Sequence, residues 1–306
     1  MHEGIYHVPV LLQEAIEGLS IIPSGIYVDC TFGGGGHSKK ILEKLDAKGK
    51  LIVFDQDEDA RKNVPDDDRI IFIPHNFRHL QRFLRFHKIV KVNGILADLG
   101  VSSHQINEPE RGFSTRFDAA LDMRMNQHDK ISASDILKNY SEEQLHKIFE
   151  QFGEVTNSKT LAKTIVEIRK IQSLQTINEF KNAIYAVVKG NPDKYFAQVF
   201  QALRIEVNDE LNALKELLAQ SVEVLEDGGR IAVITFHSLE DRIVKNFFRY
   251  GNFEGENVAD LFGNTKQNEL KAITKKPVIP STEELKINPR SRSSKLRVAE
   301  KIKVQE

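Results

Sequence analysis

Four short apolar runs punctuate the start of the chain: GIYVDCTF (25–32), KLIVFDQD (50–57), RIIFIPHNF (69–77) and VNGILADLG (92–100). Each is rich in β-branched residues and bounded by Gly, Pro or Asp, as buried strands are. They recur roughly every 20–25 residues, with helical patterns such as SKKILEKL (38–45) in some of the gaps. That rhythm predicts βαβ units, hence a parallel sheet with helices on its faces. The rhythm then stops. From Ser132 to Asp227 only helical periodicity remains, and Ser141-Glu-Glu-Gln144 and Thr176-Ile-Asn-Glu179 read as capping boxes. Pro192 suits the first turn of one long helix reaching VEVLEDGG. Gly228-Gly229 ends that helix, and RIAVITF (230–236) resumes the sheet. LKAITKKPV (270–278) and KLRVAEKI (295–302) are the final strands, expected as an antiparallel pair. The pattern predicts an α/β core over 1–109 and 206–306, carrying a helical insertion domain over 110–205.

Composition narrows the class. Of 306 residues, 40% are hydrophobic and 28% charged, which is ordinary for a globular protein. No apolar run is long enough to span a membrane, and the N-terminus lacks the pattern of a signal peptide, so the cytoplasm is expected. The single cysteine, Cys30, leaves no internal disulfide and no Cys-based metal site. The formal net charge is −1, yet Lys271–Lys303 holds ten basic residues against three acidic ones. A basic tail on an acidic body can meet phosphates, or be a solvated surface.

The first run leads into Phe32-Gly-Gly-Gly-Gly-His37-Ser38 and then a helix. Glycines here let backbone approach a ligand and leave amide N–H groups at a helix N-terminus, with no evident packing purpose. The position, after the first strand, is where α/β sheets bind ligands. Asp55 ends the second strand, where a carboxylate can accept both ribose hydroxyls of an adenosine. The dinucleotide pattern G-x-G-x-x-G fails in either register, at Ser38 and at Lys39. A cofactor without a pyrophosphate needs no such pattern. The helix ending in Gly-Gly before strand five and the terminal antiparallel pair resemble the methyltransferase layout. S-adenosylmethionine is therefore the expected cofactor, on a Rossmann-like core.

After strand four comes Ala97-Asp98-Leu-Gly-Val-Ser-Ser-His-Gln105, the loop that faces the transferred methyl in Rossmann-like methyltransferases. Carbon methylation of cytosine through a cysteine nucleophile is excluded, because Cys30 lies in strand one and reads as a small buried hydrophobe. Methylation of an exocyclic amine needs only its lone pair aligned, and Asp98 can accept the amino hydrogens that hold it so. Such orientation supplies roughly 7–11 kcal/mol in favourable cases. Asp98 can equally serve the Gly-rich loop or the cofactor. His237, in Phe236-His-Ser-Leu-Glu-Asp-Arg242 after strand five, can take the proton that the methylated amine loses, or only orient the loop.

These segments together resemble the bacterial 16S ribosomal RNA cytosine-N4 methyltransferase family, RsmH or MraW. The stretches that carry the resemblance are HVPVLLQEAI (7–16), DCTFGGGGHS (29–38), DLGVSSHQ (98–105), ERGFS (110–114), LDMRM (121–125), FQALRIEVNDEL (200–211), GGRIAVITFHSLEDRIVK (228–245) and NPRSRSSKLRVAEK (288–301). The resemblance implies transfer of a methyl group to N4 of a cytidine in the decoding region of 16S RNA, within the small ribosomal subunit. It implies cofactor contacts at Gly35, Gly36, His37, Asp55, Phe77, Asp98 and Gln105. Taken without the family, Phe77 reads as a core residue. Substrate RNA is expected at Arg290, Arg292, Lys295 and Arg297, with Ser291, Ser293 and Ser294 as further phosphate donors. Arg111, Phe113 and Arg124 are candidates to stack on or clamp an extruded base. Each of these has a structural alternative, a salt bridge or a core position. No metal is called for, and the sequence allows for a homodimer without deciding it.

Three rivals differ in chemistry. A DNA amine methyltransferase would carry an Asp/Asn/Ser-Pro-Pro-aromatic string where this chain has Asp98-Leu-Gly-Val. An NAD-dependent dehydrogenase is disfavoured by Ser38 and Lys39. A non-catalytic RNA-binding or assembly factor would keep its function without Asp98.

Overall fold

The computed structural model describes residues 9–256 and 267–303, so the first two positions of the 7–16 stretch lie outside the described residues. Along the chain run α1 (Leu12–Leu19), β1 (Ile26–Asp29), α2 (Gly36–Lys44), β2 (Lys50–Phe54), β3 (Ile70–Ile73), α3 (Leu80–Phe86), β4 (Val92–Asp98) and α4 (Ser103–Asn107). Then follow α5 (Ala133–Asn139), α6 (Glu142–Gln151), α7 (Ser158–Ile168), α8 (Ile177–Ile184), α9 (Pro192–Asn208) and α10 (Glu210–Val224). The chain ends through β5 (Leu225–Thr235), α11 (Ser238–Tyr250), β6 (Leu270–Ala272), α12 (Thr282–Ile287) and β7 (Lys295–Lys301). These elements form two compact units, residues 1–100 with 211–306, and residues 101–210. The division falls before residue 110 and after residue 205, because α4 and the whole of α9 group with the helices.

The first unit is a seven-stranded sheet in the order β3-β2-β1-β4-β5-β7-β6, a Rossmann-like α/β fold. The first five strands are parallel, and β7 runs antiparallel between β5 and β6. Side-chain alternation assigns the two faces. Val28, Ile52, Phe54, Ile95, Ile231 and Val233 point to one core, against Leu80 and Leu84 of α3, Leu217 of α10 and Phe247 of α11. Tyr27, Leu51, Val53, Leu96, Ala232 and Ile234 point to the other, against Ile16 of α1 and Ile41 of α2. A strand buried on both faces must read as a continuous apolar run, which is why these strands were visible in the sequence. The chain order reverses between β1 and β4, and the crevice beyond their carboxyl ends is where such sheets take ligands.

The second unit packs α5–α9 around Phe149, Leu161, Ile165, Phe180, Val199 and Phe200. The capping boxes at Ser141 and Thr176 are both formed. The long helix expected from Pro192 is instead two. Asp209 adopts a left-handed conformation (φ 49°) between α9 and α10, and Arg204 bridges the break with a bidentate bond to Glu210 at 2.8 and 3.0 Å. An Asp side chain tolerates that conformation, so apolar periodicity continues through a break that it cannot report. Strand five also begins earlier than expected, at Leu225. Its register with β4 jumps from Val92↔Leu225 to Gly94↔Arg230, so Gly228-Gly229 form a bulge inside the strand.

No helix among the described residues is long and apolar enough to cross a membrane. The sheet core should be sensitive to truncation. Phe54 is fully buried and meets Phe83 edge-to-face, so Phe54→Ala should destabilise by about 3–5 kcal/mol in urea titrations.

Candidate active site at the carboxyl edge of the sheet

Strand β1 ends at Asp29, whose carboxylate accepts the Thr31 N–H at 3.1 Å and the Ser38 hydroxyl at 2.7 Å. It thereby ties the strand end to the first turn of α2 across the Gly-rich loop. Asp29 is 1% exposed, and burial pushes its carboxyl up despite these bonds. In the loop, Gly33 (φ 50°) and Gly35 (φ 73°) are left-handed, and a side chain at Gly34 would meet nothing within 4 Å. Helix α2 has no side-chain cap, so amide N–H groups of its first turn are available to a ligand. One glycine departs from the sequence reading, which saw no packing purpose in the run. A Cβ on Gly36 would fall 2.2 Å from Pro9 Cγ, so that position is closed by packing.

The second carboxylate is Asp55, just past β2. Its oxygens accept the Gly33 N–H at 2.7 Å and the Asp57 N–H at 2.8 Å, so it also shapes the loop. Burial raises its pKa to about 6, against the lowering effect of those two bonds. Asn63 donates to the Gly33 carbonyl at 2.9 Å, and Asn76 donates to Gln56 at 2.8 Å, which places the turn bearing Phe77 next to the end of β2. Phe77 itself is half-buried and packs against the sheet core.

The third carboxylate is Asp98, at the end of β4. Its N–H donates to Thr31 Oγ1 at 2.7 Å, and its Oδ2 lies 3.7 Å from His37 Nδ1, beyond hydrogen-bonding reach. His37 is buried and its Nε2 bonds the Val10 carbonyl at 3.0 Å. Asp98 Oδ1 is buried with no hydrogen-bond partner among the described residues. Burial drives the Asp98 carboxyl well above the ordinary range, and the nearby charges of Asp29, Glu240 and Glu284 push the same way. Asp29 and Asp55 thus lean on hydroxyl and amide donors, while the Asp98 carboxylate faces only the His37 ring at 3.7 Å among the described residues. Such a site favours a cationic ligand and repels a diphosphate.

Beyond β5, His237 is the N-cap of α11. Its Nδ1 accepts the Glu240 N–H at 3.4 Å, while Glu240 Oε2 accepts the N–H groups of Phe236 (2.8 Å) and His237 (3.3 Å). His237 Nε2 is 3.2 Å from Glu240 Oε1, yet without hydrogen-bond alignment, and it is buried without a hydrogen-bond partner among the described residues.

The model of the MraW methylase family matches residues 4–302. The chain belongs to this methylase family. It is 53% identical over 300 residues to the ribosomal RNA small subunit methyltransferase H of Bacteroides thetaiotaomicron, covering 98% of each chain. It is equally 53% identical to the enzyme of that name from Flavobacterium johnsoniae, over 97% of this chain and 98% of that one. Among solved structures, a putative rRNA methylase from Clostridium thermocellum aligns with a TM-score of 0.45 and 12% identity, over 97% of this chain and 100% of that one.

Within this methylase the residues expected to meet RNA fall into two groups. Arg297 is 7% exposed and chelates Asp241 at 2.7 and 3.2 Å, and Lys295 reaches the same carboxylate at 3.3 Å. Ser291 and Ser294 are buried and donate to the carbonyls of Asn288 and Ser291. Arg111 is buried and donates to the carbonyls of Arg124 and Met125. Arg124 chelates Asp122, and Phe113 packs against the helical core. The side chains of Arg297, Ser291, Ser294, Arg111, Arg124 and Phe113 are therefore engaged in holding the fold. Arg290 and Arg292 remain exposed on a turn at Pro289–Ser293. Gln105 belongs to the helical unit, where its side chain closes the capping box with Ser102. Sequence reasoning passed over Asp29 and Glu240. Asp29 had a signal, an acid shortly before the Gly-rich loop, whereas Glu240 is one of two adjacent acids in a polar string and carries none.

The Asp55 shift gives a test with a defined sign. A raised carboxyl contributes stability below about pH 4 that is lost as pH rises through about 6. A ligand that needs the ionised form reverses this. S-adenosylmethionine affinity measured by calorimetry should be flat above about pH 6 and fall roughly tenfold per pH unit below it. In Asp55→Asn binding should be weak and free of this pH dependence.

Proposed function

We propose that this methylase transfers the methyl group of S-adenosylmethionine to the N4 amino group of a cytidine in the decoding region of 16S ribosomal RNA, within the small ribosomal subunit. The names of the relatives support a small-subunit RNA substrate. The observation that carries the chemistry is Asp98 Oδ1, a buried acceptor without a partner among the described residues, at the switch point of the sheet beside the Gly-rich loop. An acceptor of this kind is what an exocyclic amine requires.

The residues present fit the cofactor. Gly35, Gly36 and His37 would offer backbone N–H groups, Asp55 would accept the ribose hydroxyls, and Phe77 and Gln105 would contribute to its enclosure. When bound, S-adenosylmethionine supplies a methyl group on a positively charged sulfur, and the surplus of carboxylate at Asp29, Asp55 and Asp98 favours that charge. The same surplus argues against a dinucleotide. Asp98 holds the amino hydrogens and fixes the nitrogen lone pair along the line of transfer. Its raised proton affinity then suits it to take the proton that the methylated nitrogen sheds. His237 is poorly set for that role, because its Nδ1 already accepts a backbone N–H. Residues 110–205 form the substrate-recognition part of the chain in this reading, and the cytoplasm is its place of action.

The test is transfer of labelled methyl to small ribosomal subunits from a strain lacking the gene, followed by nucleoside analysis. N4-methylated cytidine in 16S RNA is the expected product. Absence of label in subunits and in naked RNA, with cofactor binding intact, would overturn the assignment. Asp98→Asn should lower the single-turnover rate by about 10²–10⁴-fold while RNA binding is largely kept.

A further inference from the structure

A cavity of about 320 Å³ opens beyond the carboxyl end of β5, lined by Phe236, His237 and Ser238, by Ile279, Pro280 and Leu285, and by Arg292, Ser293, Ser294 and Lys295. It lies on the ligand-bearing edge of the sheet. Asp98 pairs in register with Ile234, two residues before Phe236, so the cavity and Asp98 lie beyond the ends of neighbouring strands. Its walls are mixed in a particular way. Phe236, Ile279, Pro280 and Leu285 give apolar surface of the kind that accepts the face of a base. Arg292 is exposed and forms no ion pair among the described residues, and Ser293 is exposed beside it.

The polar group that decides the reading is His237. Its Nδ1 accepts the Glu240 N–H, so the neutral ring carries its proton on Nε2. That Nε2 is buried, with a side chain 8% exposed; Glu240 Oε1 lies 3.2 Å away without hydrogen-bond alignment, and no other described residue bonds it. A buried N–H without an acceptor costs stability, and such donors persist where a ligand satisfies them. Resting on the reading of the active site given above, we propose that this cavity receives the nucleotide to be methylated. His237 Nε2–H donates to an acceptor on the pyrimidine edge, and Arg292 holds a flanking phosphate. His237 is then a positioning residue that supplies a hydrogen bond, with Asp98 alone serving the amine.

His237→Asn separates this role from capping, because Asn caps α11 as well as His does while its amide is too short to replace Nε2. The experiment measures kcat and KM for methyl transfer to unmodified small subunits, S-adenosylmethionine affinity by calorimetry, and the melting temperature. The expected result is a loss in kcat/KM of about 10- to 100-fold, with cofactor affinity and melting unchanged. Arg292→Ala should raise KM with kcat little altered, and reduce the slope of log KM against log salt by about one. A His237→Asn enzyme with wild-type kcat/KM, or one whose loss is matched by a fall in melting temperature, overturns the proposal. An inactive wild-type enzyme with normal cofactor binding would instead overturn the function proposed for the site.

Discussion

The parallel pairing of β1 with β4 sets the terms for the rest of the site. The register Asp29↔Leu96, extended by the bond from Cys30 N–H to the Leu96 carbonyl, brings the ends of the two strands level. Asp98 N–H then meets Thr31 Oγ1, and Asp29 meets Ser38. With β2 alongside β1, three carboxylates converge on one crevice. Burial holds each carboxyl above its ordinary range, against the hydroxyl and amide donors that meet Asp29 and Asp55. A lysine in that crevice would relieve the repulsion and also remove the preference for a cationic ligand. The sheet therefore does more than present a loop. It gathers three acidic side chains at one crevice.

The C-terminal segment shows a different use of charge. Arg297 and Lys295 of β7 meet Asp241 of α11, Arg230 of β5 meets Glu300, and Lys301 meets Glu269. Burial works to raise the Asp241 carboxyl, yet the cations from β7 hold it below the ordinary range. Three cations of the basic tail thus fasten an inserted antiparallel strand to its neighbours. On the turn at Pro289–Ser293, Arg290 and Arg292 are exposed, and Arg292 lines the cavity beside His237.

The helical unit shows the same economy in its entry loop. Arg111 and Arg124 turn their guanidiniums onto local carbonyls and onto Asp122, and Asn208 binds Met123 and Met125 through both ends of its amide. Residues whose type suggested base recognition hold a long irregular segment in shape. Irregular backbone leaves carbonyls without ladder partners, and a planar group with five donors satisfies several at once.

Sequence alone determined what depends on local pattern. The five parallel strands, both capping boxes, the Gly-rich loop after β1 and the acids at the ends of β2 and β4 were legible, because burial on both faces and cap chemistry act over a few residues. The tertiary structure decided whatever depends on a distant partner. Whether Arg297 faces RNA or Asp241, whether Gly36 is open or closed by Pro9, and which nitrogen of His237 is spent on a cap are set by chain segments far away in sequence. The break at Asp209 escaped notice for a related reason. A single left-handed residue redirects a helix without disturbing the apolar spacing on either side, and only the packing of both halves reveals it.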